Sequence, residues 1–303
     1  MKRAQLLHNP HAGEKDFSRK ELTRLIEAEG FECVYSSVKE DGWDKFKDDI
    51  DFLVVAGGDG TVRRAAKALV KRKVLDKQFP IALLPHGTAN NVATTLNISG
   101  EVTDIISSWH EAKLKKFDVG KVYGLQDNIF FLEGFGFGIF PKLMKVMKKI
   151  EDELSEDRDE KIKTARAVLY DIVLSYKARK CRIIADDVDH TGKYILVEIM
   201  NTTSIGPNLG LSHSGDPGDG EFEIVLIPES HQKKFEDYLL NRINGKEDHY
   251  SFTTLKAKKI QVFWEGKDMH TDDEIVKIEK PTEVTIEVQP GVLEFLLTDE
   301  PES

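Results

Sequence analysis

Short apolar runs alternate with amphipathic stretches in the first third of the chain, and the two periods predict strands and helices in turn. Ala4 to His8, Phe52 to Ala56 and Ile81 to Leu84 read as buried strands. Each leads through a polar or glycine-bearing loop into a helical pattern. The first helix lies near Phe17 to Ala28, and the third is short and starts at Val92. The second places Val62, Ala65, Ala66, Leu69 and Val70 on one face. Alternating strands and helices predict a parallel sheet with right-handed crossovers. Such sheets bind ligands beyond the carboxyl ends of their strands, where all three loops lie.

The pattern changes after Asp118. Val119 to Val122, Ile129 to Leu132, Cys181 to Ala185, Lys193 to Met200, Glu221 to Ile227, Lys259 to Trp264, Glu274 to Glu279 and Val284 to Val288 read as strands separated by Gly, Asp and Pro clusters. Two helices interrupt them, near Pro141 to Ile150 and Lys163 to Lys177. The mixed, mostly acidic run Glu151 to Glu160 reads as a solvated loop or frayed helix. The expected fold is an α/β domain with a parallel sheet over 1–118, followed by a mainly β, sandwich-like domain over 119–289. The final strand, Val292 to Leu297, belongs to a tail that returns to the first domain.

Composition narrows the function. A chain of 303 residues, 40% hydrophobic and 32% charged, suits two globular domains. Its net charge of -10 argues against nucleic-acid binding. The same charge repels an anionic membrane unless a local basic patch makes the contact. The first residues are too soon interrupted for a signal peptide, and no apolar stretch is long enough to span a bilayer. Cys33 and Cys181 lack metal-ligand spacing and read as reduced thiols. A cytoplasmic protein is expected.

The chemistry concentrates in two loops. Gly57-Gly58-Asp59-Gly60-Thr61 joins a strand to a helix, so its glycines let backbone approach a ligand while the helix-start N–H groups point at an anion. Asp59 would repel bare phosphate, which implies a divalent cation between them. Pro85-His86-Gly87-Thr88-Ala89-Asn90-Asn91 offers a second glycine, a hydroxyl and two amides at another helix start. Each loop alone can be a tight turn, and Thr88 can be a helix cap. No Gly-Lys-Ser/Thr ending or G-x-G-x-x-G run is present, so neither a P-loop nor a dinucleotide fingerprint is expected.

Together with Asn9-Pro10-x-Ala12-Gly13, these loops resemble the diacylglycerol kinase catalytic family, which includes bacterial lipid kinases and sphingosine kinases and is more distantly similar to NAD kinases. Phe117-Asp118-Val119-Gly120, Asn201, Gly206 to Leu209, Asp216 to Gly220 and His270 to Glu274 extend the resemblance through nearly the whole chain. It implies an ATP-dependent lipid kinase acting at a membrane surface as a peripheral protein, on the inner face. ATP phosphates are expected against Gly57, Gly58, Asp59, Gly60 and Thr61, with Asn9, Gly87, Thr88 and Asn90 nearby and Ser36 or Ser37 as a further nucleotide contact. By the same resemblance Asp59 organises the catalytic Mg²⁺, Asp118 supports the polar network and Glu274 accepts the proton of the lipid hydroxyl. A structural Mg²⁺ is implied at Asp216, Asp219 and the carbonyl of Glu221, where a plain hairpin turn is the alternative. A homodimer is left open.

Three mismatches, at four positions, depart from the family pattern. Arg63 and Arg64 stand where an amide and a carboxylate are usual, Asn91 replaces an aspartate, and Glu133 replaces an amide. Arginines beside the phosphates can tighten nucleotide binding, whereas a lost carboxylate weakens metal organisation. A kinase of a soluble substrate, of the NAD-kinase type, is one alternative; a nucleotide or lipid binder without activity is another. The apolar segment Phe130 to Phe140 favours a greasy acceptor pocket. Lys142, Lys145, Lys148 and Lys149 beside it suit either a lipid interface or an ordinary solvated helix face, and Arg63, Arg64, Lys67, Lys71, Arg72 and Lys73 form a second basic cluster.

Overall fold

The computed structural model describes residues 1–10, 18–73, 76–125, 129–150, 152, 154–155, 157–212, 214–246 and 252–297. Two compact units divide the chain: Met1–Phe117 with Gly291–Ser303, and Asp118–Pro290.

The first unit carries β1 (Arg3–His8), α1 (Arg19–Ala28), β2 (Glu32–Ser37), β3 (Phe52–Gly57), α2 (Asp59–Val70), β4 (Ile81–Pro85), α3 (Asn91–Thr95), α4 (Val102–Ser108) and the start of β5 (Lys113–Tyr123). β1 pairs in parallel with both β2 and β3, and β3 pairs in parallel with β4. Phe295, near the chain's end, pairs in parallel with Ile81 of β4. Leu6, Leu7, Leu53, Val54, Val55, Ile81, Ala82 and Leu83 are buried. Covered on both faces, these strands read as continuous apolar runs instead of alternating ones. α1 begins after Ser18, whose hydroxyl accepts the Glu21 N–H; Phe17 lies outside the described residues. α2 buries Val62, Ala65, Ala66 and Leu69, but Val70 at its last position is 38% exposed and leaves the predicted stripe.

The second unit holds the rest of β5, β6 (Ile129–Phe131), β7 (Gly134–Gly138), α5 (Ile139–Lys149), α6 (Arg158–Ser175), β8 (Arg179–Ala185), β9 (Val188–Asp189), β10 (Gly192–Met200), β11 (Ser204–Ile205), β12 (Leu209–Gly210) and β13 (Phe222–Pro228). α7 (Gln232–Ile243), β14 (Thr254–Ala257), β15 (Lys259–Trp264), β16 (Asp268–Thr271), β17 (Glu274–Lys277) and the first part of β18 (Glu283–Leu297) follow. Its pairings are antiparallel: β10 meets β7, β8 and β13, and β7 meets β16. One apolar cluster gathers Phe131, Phe135, Phe137, Phe222 and Trp264; the other packs Phe140, Leu169, Phe235 and Tyr238 against the opposite side chains of β10. The fold is thus an α/β unit with a parallel sheet and a mainly β, sandwich-like unit.

Several elements lie outside the predicted ones. β7 is Gly-Phe-Gly-Phe-Gly, a poor strand by propensity. Its phenylalanines fill one cluster while its glycines make room on the other face. α7 buries only Phe235, Tyr238 and Leu239. α6 starts at Arg158, inside the acidic run: the Asp157 carboxylate caps it through the Glu160 N–H at 2.8 Å, and Asp159 and Glu160 complement the helix dipole. Glu151, Glu153 and Glu156 lie outside the described residues.

Candidate functional site

In the first unit the registers Ser37↔His8, His8↔Ala56 and Ala56↔Leu84 put four strand ends in one row. The chain leaves β1 toward β2 on one side and leaves β3 toward β4 on the other. The gap between the ends of β1 and β3 is therefore the switch point at which open α/β sheets bind ligands. Asn9, the residue after β1, bridges that gap: its side-chain amide donates to the Thr61 hydroxyl at 3.3 Å, and its N–H to the Ala56 carbonyl at 3.0 Å.

The two special loops touch. A Cβ on Gly58 would lie 2.7 Å from the Gly87 Cα, and one on Gly87 would collide with Gly58 in return. Only a pair of glycines allows this backbone-on-backbone contact. Asn90 locks the second loop. Its backbone is left-handed, at φ 54°, its carbonyl oxygen accepts the Gly87 N–H at 2.8 Å, and its amide donates to the Gly87 carbonyl at 3.0 Å. Asp59 ties the loops together electrostatically: its oxygens accept the N–H groups of Asn91 at 3.0 Å and Val92 at 3.1 Å. Charge-assisted bonds of this kind contribute about 1.5–3 kcal/mol each when desolvated, and less at this half-buried position. Asp59 is therefore the cap of α3, a role given to Thr88 as an alternative; Thr88 is exposed.

α2, with twelve residues, starts at this contact. Gly58 is its N-cap and supplies no side-chain bond to the first turn, so its leading amides suit an anion. The hydroxyls of Ser36 and Ser37 serve the scaffold: Ser36 accepts from the Gln5 amide at 3.1 Å and Ser37 from the Lys39 N–H at 3.3 Å. Arg63 is buried on α2. Arg64 is exposed, donates to the Val38 carbonyl at 2.6 Å and lies over the Trp43 ring.

A carboxylate oxygen that accepts one N–H keeps further acceptor capacity. Asp59 can therefore also hold a hard cation such as Mg²⁺.

In the second unit Asp118 is buried within a backbone lock. It donates its N–H to the Pro217 carbonyl at 2.6 Å, and its carboxylate accepts the Gly220 N–H at 2.7 Å. Asn201 donates to the carbonyls of Asp118 and Leu132 at 2.9 and 3.0 Å. Asp118 thereby fixes the loop carrying Asp216, Asp219 and Glu221. Within that loop Asp216 accepts the Gly218 N–H at 2.9 Å and Asp219 the Glu221 N–H at 3.0 Å. The second Asp219 oxygen pairs with the Lys256 ammonium at 2.7 Å, and that bond raises the Lys256 pKa. The chain thus brings its own cation to the place where a structural Mg²⁺ is expected, and among the described residues no trio of His, Cys, Asp or Glu side chains is arranged to hold a metal.

Glu274 opens β17 as an exposed carboxylate on the hairpin Thr271–Glu274. The hairpin is anchored by Asp272, which sequence reasoning missed. Asp272 is buried, has φ 50°, and its carboxylate gathers the N–H groups of Leu132, Glu133 and Gly134 between 2.8 and 3.2 Å. Beneath it, His270 donates Nδ1–H to the Asp272 carbonyl at 3.0 Å and meets Glu198 through Nε2 at 2.9 Å. Glu198 and His270 are both buried. Burial raises the Glu198 carboxyl, against the pull of His270. Burial lowers the His270 imidazole, but the Glu198 charge and hydrogen bond, joined by Asp272, carry it above its ordinary value. The pair fits only because Gly136 has no side chain: a Cβ there would collide with the Glu198 carboxylate. An Asp in a turn was the available signal; its burial was not.

Phe131, Phe135, Phe137 and Phe140 are all buried at 3% exposure or less, filling the two clusters. Packed there, these four rings give no support to a greasy acceptor pocket; Phe130 is half-buried. Burial pushes the Cys181 thiol up to about 12 and the Cys33 thiol up to about 11, which makes both poor nucleophiles at neutral pH.

Loops of this build on a parallel sheet, followed by a β sandwich, define a two-domain kinase fold. Residues 3–122 match the diacylglycerol kinase catalytic domain, and residues 156–297 match the YegS C-terminal NAD kinase β-sandwich-like domain. The chain belongs to the diacylglycerol kinase catalytic family. It is 25% identical over 258 residues to a provisionally named lipid kinase of Staphylococcus aureus strain MSSA476, spanning 83% of this chain and 79% of the relative. A provisionally named diacylglycerol kinase from Bacillus anthracis strain Sterne superposes with a TM-score of 0.75 at 22% identity over 98% of both chains. A further Bacillus anthracis diacylglycerol kinase structure gives 0.72 at 21% identity over 98% and 97% of the two chains. Among the described residues no helix is long and apolar enough to cross a membrane.

Proposed function

We propose that this protein transfers the γ-phosphoryl group of ATP to the hydroxyl of a lipid, such as diacylglycerol or a sphingoid base. The observation that carries the reading is the Gly58–Gly87 contact, which sets two amide-bearing loops against each other at the switch point of the parallel sheet. The α2 amides bind phosphate oxygens, and Asn90 and Asn9 keep the two loops in register. Asp59 holds the Mg²⁺ that accompanies the nucleotide; bound there, the ion would neutralise phosphate charge. Glu274 takes the proton as the lipid oxygen forms its bond to the γ-phosphorus and the bond from that phosphorus to the β,γ-bridging oxygen breaks, releasing ADP. Asp118 supports the polar network by holding the loop beside it through the Gly220 N–H. Support for a lipid acceptor comes from the family and its relatives' names, since the buried phenylalanines lend none.

Transfer of labelled phosphate from ATP with Mg²⁺ to diacylglycerol, a sphingoid base and NAD tests the reading. Labelled lipid is the expected product. Label in NAD alone would replace the acceptor with a soluble one, and nucleotide binding without any transfer would leave only a binder.

A further inference from the structure

The 216–221 loop holds the carboxylates for which a structural divalent ion is expected, yet it is already anchored from within the chain. Asp216 accepts the Gly218 N–H, Asp219 the Glu221 N–H and Asp118 the Gly220 N–H. Just past the loop, β13 carries Glu223, which is buried. A Cβ on Gly215, at the other end of the loop, would lie 3.4 Å from the Glu223 Oε2, so the loop packs against this carboxylate. The strand β14 supplies a positive charge to the same place. The antiparallel register sets Lys256 directly opposite Glu223, and cross-strand partners point to one face. The Lys256 ammonium reaches the Asp219 Oδ2 at 2.7 Å and the Glu223 Oε1 at 3.3 Å. It therefore sits between a loop carboxylate and a sheet carboxylate, and neutralises two acids that would otherwise repel each other.

A divalent ion on Asp219 would have to sit beside this ammonium or expel it. Beside it, the two cations repel; in its place, the loop exchanges a tethered charge for one drawn from solution. We infer that Lys256 stands in for a structural metal ion, so that the second unit holds the 216–221 loop without any divalent cation. The two arrangements differ in what they respond to. A bound ion stabilises a fold more as its concentration rises, whereas a lysine fixed by strand register acts equally at every metal concentration. This goes beyond the phosphoryl-transfer reading, because the loop needs neither ATP nor an acceptor. It leaves the nucleotide as the one place where Mg²⁺ is proposed to act.

Thermal unfolding without nucleotide tests it, in EDTA and then in Mg²⁺ or Ca²⁺ at about 10 mM, above the range of weak protein sites. Every chain carries Asp59→Asn, so that Asp59 adds no ion response of its own. With Lys256 present, the midpoint is expected to agree within about 1 °C in all three solutions. Lys256→Met is expected to unfold about 3 °C lower in EDTA, because buried Glu223 loses its partner. Mg²⁺ or Ca²⁺ is expected to restore most of that loss, since the vacated place then accepts an ion. Lys256→Arg keeps the charge and is expected to stay insensitive to metal. Lys258→Met makes the same charge change at a nearby exposed position and is expected to show neither effect. An unchanged midpoint in Lys256→Met, or a lowered one that metal does not restore, would overturn the inference. Calorimetric titration with Ca²⁺ gives a reading that needs no change at Lys256. No binding is expected there, and a millimolar or tighter site that Asp219→Asn abolishes would also overturn the inference. Labelled transfer by the Lys256 variants with Asp59 intact reads the kinase assignment separately.

Discussion

The glycine loops of the first unit and the buried polar network of the second solve opposite problems. The loops bring backbone close to backbone over short sequence distances and leave helix-start amides at a half-buried surface. The network joins residues as far apart as Leu132 and Asp272, separated by 140 positions, with both ends buried. A polar group in water has a substitute partner when it loses one; a buried group has none. Damage to the loops should therefore cost function before fold, and damage to the network fold before function.

The largest expected effect tests whether the exposed hairpin above that network carries chemistry. Glu274→Gln should lower kcat by about 10²–10⁴-fold, the range for a lost general base, with ATP affinity within about twofold of the intact chain. A large loss of ATP affinity measured by titration calorimetry would instead make Glu274 part of the nucleotide site. Asp59→Asn should lower turnover by about 10²-fold or more while the thermal midpoint changes little, because the asparagine oxygen still accepts one of the two α3 N–H groups. Turnover equal to that of the intact chain would contradict a metal role for Asp59.

Glu198→Ala sharpens the other side of the comparison. It should destabilise the chain by about 3–5 kcal/mol in urea unfolding, because a buried pair loses one member. Glu198→Gln keeps a hydrogen bond to His270 and should cost less than half of that. The pH dependence has a definite sign. A raised imidazole stabilises the folded chain below its ordinary value of 6.5 and loses that contribution as pH climbs through the folded value. Stability should fall as pH rises from about 6.5, and Glu198→Gln should flatten that slope. The smallest effect belongs to Gly87→Ala. Its methyl group would press on Gly58, costing about 1–3 kcal/mol by overpacking and weakening nucleotide binding as the loops part. Unchanged nucleotide affinity in this variant would separate the contact from the site.

Local patterning sufficed where chemistry depends on backbone. The Gly57 to Thr61 and Pro85 to Asn91 runs could be read as loop-to-helix turns from their glycines and flanking apolar runs. Patterning could not show that Gly58 and Gly87 touch, that Asp59 caps α3, or that Arg64 turns to Val38. It also passed over β7, because alternate glycines suppress the strand signal they exist to accommodate: the room for Glu198.

The sequence by itself determined the two-part plan, the alternation of strands and helices, and the two loop-to-helix turns, because each follows from periodicity and glycine over a few neighbouring residues. Only the tertiary structure decided which carboxylates are exposed, which are capped and which are paired. That choice depends on burial and on partners distant in the chain. It separates exposed Glu274 from buried Asp272 two positions earlier, and it gives Asp219 a lysine from 37 positions away.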